Sequence, residues 1–429
     1  MQPAATLVSP APPRLSGLAV FVFVFVPFAL GHYLSSLLRN VNAVLASQLA
    51  SALALTPGQL GLLTSAFFFA FALVQLPVGM ALDRYGPRRV QVAMLLVASC
   101  GAVLFARGGG FWSLLAARAV MGCGLGGCFM AAVKAVSIWI APSRLPSVHG
   151  YLIAVGGMGA ASATMPVRAM LAYTDWRGLF LLLAGLVACT GLLIALLYPK
   201  TEDAAPGGGP LSPVLPALRE VWRAPGFRAV VALVLVPHAV FFGVQGLWIG
   251  RWLADVALYP EDAVAYLLYL GMAAVVFGAI AVGMITEWAG RRGMPPLDVA
   301  AAGITMFVLI QAAFVIGYRP SFPWLSVMFT LAGTVTGIDY AIVAQSMPRA
   351  LTGRAATFLN LLIFIGAFLV QAGFGLVIGL WQPDLLGHAP AAAYRCAFAL
   401  LVLIQVPGLW QYARRRRDAP VPATEIAAP

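Results

Sequence analysis

The sequence predicts an all-α polytopic membrane protein of twelve transmembrane helices in two related halves. Three observations carry this. Of 429 residues, 62% are hydrophobic and 9% are charged, far too few charges to cover the surface of a soluble domain. The apolar residues gather in runs of bilayer-spanning length, about 20 residues each. A segment at 79–89 returns in weaker form at 283–292, close to half the chain away.

Taken in order, residues 1–13 are rich in Pro and Ala and precede the first span. Helix 1 begins near Gly17 and runs past Arg39 to about Ala50; no small-residue cleavage site follows it, so it is read as a retained span. Helix 2 is expected over 58–82, helix 3 over 90–105, helix 4 over 111–140, helix 5 over 147–172 and helix 6 over 178–197. A polar stretch at 199–226, with Pro206, Gly207, Gly208, Gly209 and Pro210, is the one long linker. It divides an N-terminal bundle (1–198) from a C-terminal bundle (227–413), followed by a tail (414–429). Helix 7 is expected over 227–254, helix 8 over 262–287, helix 9 over 296–317, helix 10 over 322–347, helix 11 over 352–380 and helix 12 over 391–412.

Twelve spans put both termini on one side. The loops of that side hold Arg14, Arg84, Arg88, Arg89, Arg144, Lys200, Arg219, Arg223, Arg228, Arg291, Arg292, Arg349, Arg354 and the run Arg414 to Arg417; the other side holds Arg107, Arg177, Arg319 and Arg395. Basic loops stay cytoplasmic, so the termini and the central linker are expected there. This asymmetry accounts for the net charge of +12 without a nucleic-acid partner. The 414–417 run reads as a headgroup anchor. Cys100, Cys123, Cys128, Cys189 and Cys396 all lie in apolar runs and read as small core residues. No metal, cofactor or enzymatic motif stands out: neither a phosphate loop nor a nucleophile elbow is present.

The segment Gly79-Met80-Ala81-Leu82-Asp83-Arg84-Tyr85-Gly86-Pro87-Arg88-Arg89 cannot lie in hydrocarbon and is expected as a tight aqueous loop. Gly283, Glu287 and Gly290 repeat Gly79, Asp83 and Gly86 at a constant offset, with Arg291 and Arg292 following. This segment closely resembles the G-x-x-x-D-R-x-G-x-R-R loop between the second and third helices of the major facilitator superfamily. That resemblance implies two pseudo-symmetric six-helix bundles that rock about a midplane site. It also implies that Gly79, Asp83, Arg84, Gly86, Arg88, Glu287 and Arg291 form cytoplasmic gates that break and reform. The repeat itself points, on physical grounds, to two homologous membrane halves.

Charges inside membrane helices are expensive and usually face a cavity or a partner. On helix 1, His32, Ser35, Ser36 and Arg39 share one face, with Asn42 a turn beyond. Helix 7, the counterpart in the repeat, carries His238 and Gln245. The resemblance implies that helices 1, 4, 7 and 10 line the central cavity, so two polar stripes should meet there. Arg39 is the expected substrate ligand, since a guanidinium can hold a carboxylate or phosphate through two parallel hydrogen bonds. Trp248, Tyr33 and Tyr340 are candidate apolar walls.

Arg118 opens a glycine-spaced run that resembles the superfamily's helix 4 motif. The resemblance implies a part in coupling or in organising that helix. Small residues at 122 and 126 should let helices approach closely. Lys134 either snorkels or lines the inner mouth. Asp339 is the one acid deep in a helix and the first candidate for proton coupling, ahead of His32 and His238. Arg251 and Asp255, four apart, read as a local pair. Helix 5 is rich in small residues but lacks the Gly-Pro pair of many antiporters in that superfamily, which disfavours a drug exporter. The expected function is secondary active transport of a small organic anion, with a carboxylate preferred, in proton symport by a monomer of a bacterial inner membrane. A proton-driven exporter and a non-transporting scaffold or sensor are the alternatives.

Overall fold

The computed structural model describes residues 16–140, 144–199, 214–384 and 387–418. The expected Pro/Ala-rich N-terminus with Arg14, the glycine-rich part of the linker with Lys200, and the end of the tail lie outside them. Among the described residues there is no strand. Eleven helices are long and apolar enough to cross a membrane, and the shorter apolar helix Pro57–Leu73 stands beside them. The helix Gln75–Arg107 is two spans joined at Gly86, so residues 57–85 form helix 2 and residues 87–107 form helix 3.

That junction corrects the expected loop. Residues 79–85 continue helix 2, and the reversal takes place at Gly86 alone, with φ 76° and ψ 163°. This conformation is open essentially to glycine only. Pro87 then opens helix 3, where a missing N–H has no partner to lose. Two residues are enough because the charged side chains leave the helix flank into water, so the backbone can stay helical.

Helix 1 is capped by Ser16, which accepts from the Ala19 N–H. It contains a π-helical turn, Phe21–Phe25, followed by Val26-Pro27. Helix 7 repeats this with Val231–Leu235 followed by Val236-Pro237. A proline has no N–H for the preceding turn, and a π turn is one way to absorb the mismatch. The recurrence shows the kinship of the halves and resets the register between them. Pro27 matches Pro237, so Ser35 matches Gln245, whereas His238 matches Phe28 and Arg39 matches Ile249. The two polar stripes therefore do not correspond residue by residue.

The cavity-side helices are interrupted near their middles. Helix 4 runs Phe111–Leu125 and Cys128–Trp139, helix 5 Leu145–Ser162 and Met165–Met170, and helix 7 breaks between Gln245 and Trp248. Helix 10 tightens into a 3-10 turn at Thr334–Gly337, just before Asp339. Helix 8 is Glu261–Gly290, helix 9 Pro296–Ile316 and helix 11 Arg349–Ile378. Helix 12 is longer than expected, Ala391–Asp418. It carries the arginine run onto its last turns, where Arg416 pairs with Asp298 at 3.1 Å. The linker also holds a helix the sequence reading did not anticipate, Val214–Arg223. Its prolines obscured it, but Pro216 sits in the first turn, where proline is tolerated. Val221 is fully buried and Trp222 packs on Phe227 and Phe358.

Glycines set the closest helix approaches. A Cβ on Gly122 would fall 2.4 Å from the Phe67 carbonyl, and one on Gly124 would fall 2.3 Å from the Ala98 nitrogen. Helices 2, 3 and 4 thus meet backbone to backbone, as the small residues of helix 4 predicted. Between the halves, helix 2 lies along helix 11 and helix 5 along helix 8. This seam is tight on the side away from the termini, where Gly61 and Gly375 both press on Trp248. On the termini side the bundles part. Gly79, Gly86, Gly283 and Gly290 have no neighbour where a Cβ would stand, and Asp83 and Glu287 are 72% and 67% exposed. Large apolar residues such as Leu96, Leu104, Leu192, Phe277, Leu309 and Leu403 stay exposed, as a hydrocarbon-facing belt requires.

Candidate functional site

Arg39 projects from helix 1 into the seam. Its guanidinium carbon stands 5.2 Å from the centroid of Phe242 on helix 7 and 6.0 Å from that of Phe364 on helix 11. Its one hydrogen bond among the described residues is a long one, 3.5 Å to the Ser36 hydroxyl on the preceding turn. Its Nε has no partner, and among the described residues no carboxylate pairs with it. A half-buried guanidinium held by ring faces alone is under-satisfied. It has donors to spare for an anion.

Behind Phe242 lies a second group. His238 Nδ1 and Asp339 Oδ2 are 2.7 Å apart, with the side chains 4% and 0% exposed. The other Asp339 oxygen accepts from the Tyr340 N–H at 2.7 Å. The Tyr340 hydroxyl donates to Asn360 Oδ1 on helix 11 at 2.7 Å. The His238 ring stacks on Phe242 at 5.1 Å, and Phe242 stacks on Phe364 at 5.4 Å. One phenyl ring therefore separates the Arg39 guanidinium from a buried imidazole–carboxyl pair. Such a pair can hold and hand on a proton. The partner of Asp339 is thus His238 and not one of the arginines within the spans.

The remaining candidates take other positions. His32 packs on Phe129 of helix 4 at 5.0 Å and against Gly156 of helix 5; it does not reach His238. Ser36 stays beside Arg39. Gln245 turns into the C-terminal half and accepts from the Thr330 hydroxyl at 2.7 Å. Trp248 is 1% exposed and donates to the Gln371 carbonyl across to helix 11 at 2.9 Å. It is a wedge in the closed end of the seam, and not a wall beside Arg39. Arg118 is wholly buried, donates to the Leu38 carbonyl at 2.9 Å and lies over Phe67 at 5.0 Å, with Nε and Nη2 unpartnered. It ties helix 4 to helix 1.

At the termini side, Asp83 bonds Lys134 at 2.5 Å and Glu287 bonds Arg291 at 2.5 Å, each within its own half. Arg88 donates to the Ala195 carbonyl and Arg84 lies over Tyr85. Among the described residues no charged latch crosses the seam there. Cross-seam charge contacts stand at the opposite end, where Arg168 of helix 5 bonds Glu261 and, at 2.8 Å, Asp262 of helix 8. Arg251 pairs with Asp255 at 2.8 Å as expected, and Tyr394 also donates to Asp255. The Glu261–Asp262 doublet facing a lone basic residue on helix 5 was the available signal for that clasp. Nothing in the sequence distinguished Phe242 and Phe364 from any other apolar-run aromatic.

Two six-helix bundles, a charged seam and the turn at Gly86 agree with a direct match: residues 28–371 fit the model of the Major Facilitator Superfamily. The chain belongs to the Major Facilitator Superfamily. It is thus a multi-pass membrane transporter. It is similar to the probable sulfoacetate transporter of Cupriavidus necator, 28% identical over a stretch covering 40% of each chain. It is also similar to the gentisate transporter of Corynebacterium glutamicum, 26% identical across 85% of this chain and 84% of that one. Among solved structures, a bacterial homolog of the human lysosomal transporter Spinster superposes with a TM-score of 0.73 at 18% identity, covering 95% of this chain and 100% of that chain. In this member of the superfamily, the polar and aromatic cluster joining helices 1, 7, 10 and 11 is Arg39, Phe242, Phe364, His238, Asp339, Tyr340 and Asn360.

Proposed function

We propose that this protein carries a small carboxylate-bearing organic anion across a bacterial inner membrane, in symport with protons and as a monomer. The observation that carries the reading is Arg39: a guanidinium in the seam between the halves, laid over two phenyl rings, with no carboxylate partner among the described residues. An arriving anion supplies the missing partner, and the rings around it keep water away, which strengthens the pairing. The names of the sulfoacetate and gentisate transporters denote organic anions, which supports the same class here.

His238 and Asp339 serve as the proton site in this reading, with Arg118 bracing helix 4 against helix 1. An anion on Arg39 favours a proton on the pair behind Phe242, so the two cargoes bind together. Basic loops assign the termini to the cytoplasm, which makes the conformation inward-open. The bundles at 1–198 and 227–413 then rock about the linker at 199–226, and the Asp83 and Glu287 segments re-form contacts when the inner side closes.

Purified protein in proteoliposomes tests this with labelled gentisate and sulfoacetate. Uptake should rise when an inward proton gradient is imposed. Arg39→Gln should weaken anion binding about tenfold or more, the loss expected for charge-assisted hydrogen bonds. Equal binding by Arg39→Gln removes the site assignment, and uptake indifferent to the gradient removes the proton assignment.

A further inference from the structure

Away from the seam, a cavity of about 70 Å³ opens on the distal face of the C-terminal half. One water needs roughly 10–15 Å³ on this measure, so there is room for several. Trp252, Phe314 and Phe322 form an aromatic floor, with Trp252 edge-on to each of the others at 4.6 Å. Arg319, from the turn between helices 9 and 10, and Arg395, from the first turns of helix 12, line it as well. No acidic side chain lines it among the described residues, and neither guanidinium has an ion-pair or hydrogen-bond partner there.

Two like charges at one cavity need an explanation. Several other basic groups of this face are engaged: Arg168 with Glu261 and Asp262, Arg251 with Asp255, and Arg177 with the Trp176 ring and the Gly108 carbonyl. Arg107, by contrast, is exposed and stands alone among the described residues, away from any cavity lined by a second guanidinium. Arg395 lies close against the end of helix 9. Gly317 there has φ 71°, and a Cβ on it would come 2.7 Å from Arg395 Nη2. The glycine that turns the chain also clears space for the guanidinium. The negative end of helix 9 favours one cation and accounts for Arg395 alone, not for Arg319 beside it. Ile316, Tyr318 and Trp324 flank the cavity region and are 74%, 65% and 68% exposed, the apolar and aromatic mix of a membrane–water interface.

We infer that this cavity binds a phosphate-type oxyanion at the membrane interface, with Arg319 and Arg395 as its ligands. Two planar forks can each hold two oxygens of one phosphate, and the aromatic floor closes the cavity on the protein side. The same chemistry is offered by the phosphodiester of an anionic lipid, whose chains would lie along Ile316 and Trp324, and by free phosphate.

The test uses the full-length protein in detergent. Its thermal midpoint is followed while phosphatidylglycerol, phosphatidylcholine or inorganic phosphate is added, for wild type, R319Q/R395Q and the control R107Q. Phosphatidylglycerol should stabilise wild type and R107Q, with apparent affinity about tenfold weaker in R319Q/R395Q. Stabilisation by inorganic phosphate, lost only in the double variant, supports the same site filled from solution. Responses to both probes that are identical in wild type and R319Q/R395Q overturn the inference. Should the double variant not fold, R319Q and R395Q are measured singly, both positions being exposed; wild-type affinity in both overturns it equally.

Discussion

Removing Arg168 from the distal clasp should shift the balance between the two open states of the transporter. The clasp crosses the seam at the end where the halves are closed, so opening that end must break it. Its members are partly wet: the side chains of Arg168, Glu261 and Asp262 are 27%, 43% and 80% exposed. Pairs of this kind contribute about 0.2–1 kcal/mol each, with the Asp262 contact at the low end. Together they bias the closed distal side by roughly 0.4–1.2 kcal/mol, or about 2- to 8-fold in population. The apolar part of the seal is larger. Trp248, 1% exposed between Gly61 and Gly375, contributes on the order of 1.5–3 kcal/mol by burial alone. Arg168→Gln should therefore tilt the equilibrium without springing the seal. Spin labels introduced as Ser51→Cys and Leu380→Cys in a cysteine-free background report the distal separation by double electron–electron resonance. The long-distance fraction should rise by about 2- to 8-fold in Arg168→Gln at low salt. High salt should move wild type in the same direction, because exposed pairs are screened, and should leave the variant unmoved. Identical distance distributions in both proteins at low salt would refute the reasoning.

Three further outcomes are expected. Asp339→Asn should keep anion exchange across the membrane but lose accumulation driven by a pH gradient; gradient-driven accumulation at the wild-type level counts against the His238–Asp339 pair as the proton site. Gly86→Ala should cost about 1–3 kcal/mol, since φ 76° with ψ 163° is closed to a side chain, and should lower the midpoint of thermal unfolding. Gly124→Leu should destabilise more than Gly79→Leu, measured the same way: a Cβ at Gly124 meets the Ala98 backbone at 2.3 Å, whereas Gly79 has open space.

Much of the architecture followed from sequence because a bilayer leaves few choices. Hydrocarbon demands that each span satisfy its own backbone, so apolar runs become helices, and the acid, arginines and glycines of 79–89 must come to water. The repeat of Gly79, Asp83 and Gly86 as Gly283, Glu287 and Gly290 is local information and was legible for that reason. Arg39 and Asp339 stood out because charge inside a span is costly anywhere along it.

Tertiary structure alone decided what those charges meet. Periodicity put His32 and Arg39 on one face of helix 1, but the break in helix 4 and the small residues of helix 5 gave His32 to Phe129 and Gly156. Trp248 became a wedge because Gly61 and Gly375, from opposite halves, leave a slot of its width. Gln245 turned to Thr330, and Asp339 found His238 through a 3-10 turn that pattern alone does not announce. A sequence specifies which groups need partners, since that need belongs to each residue's own chemistry. The identity of the partner is a property of how distant helices pack, and packing is settled by shape across the seam.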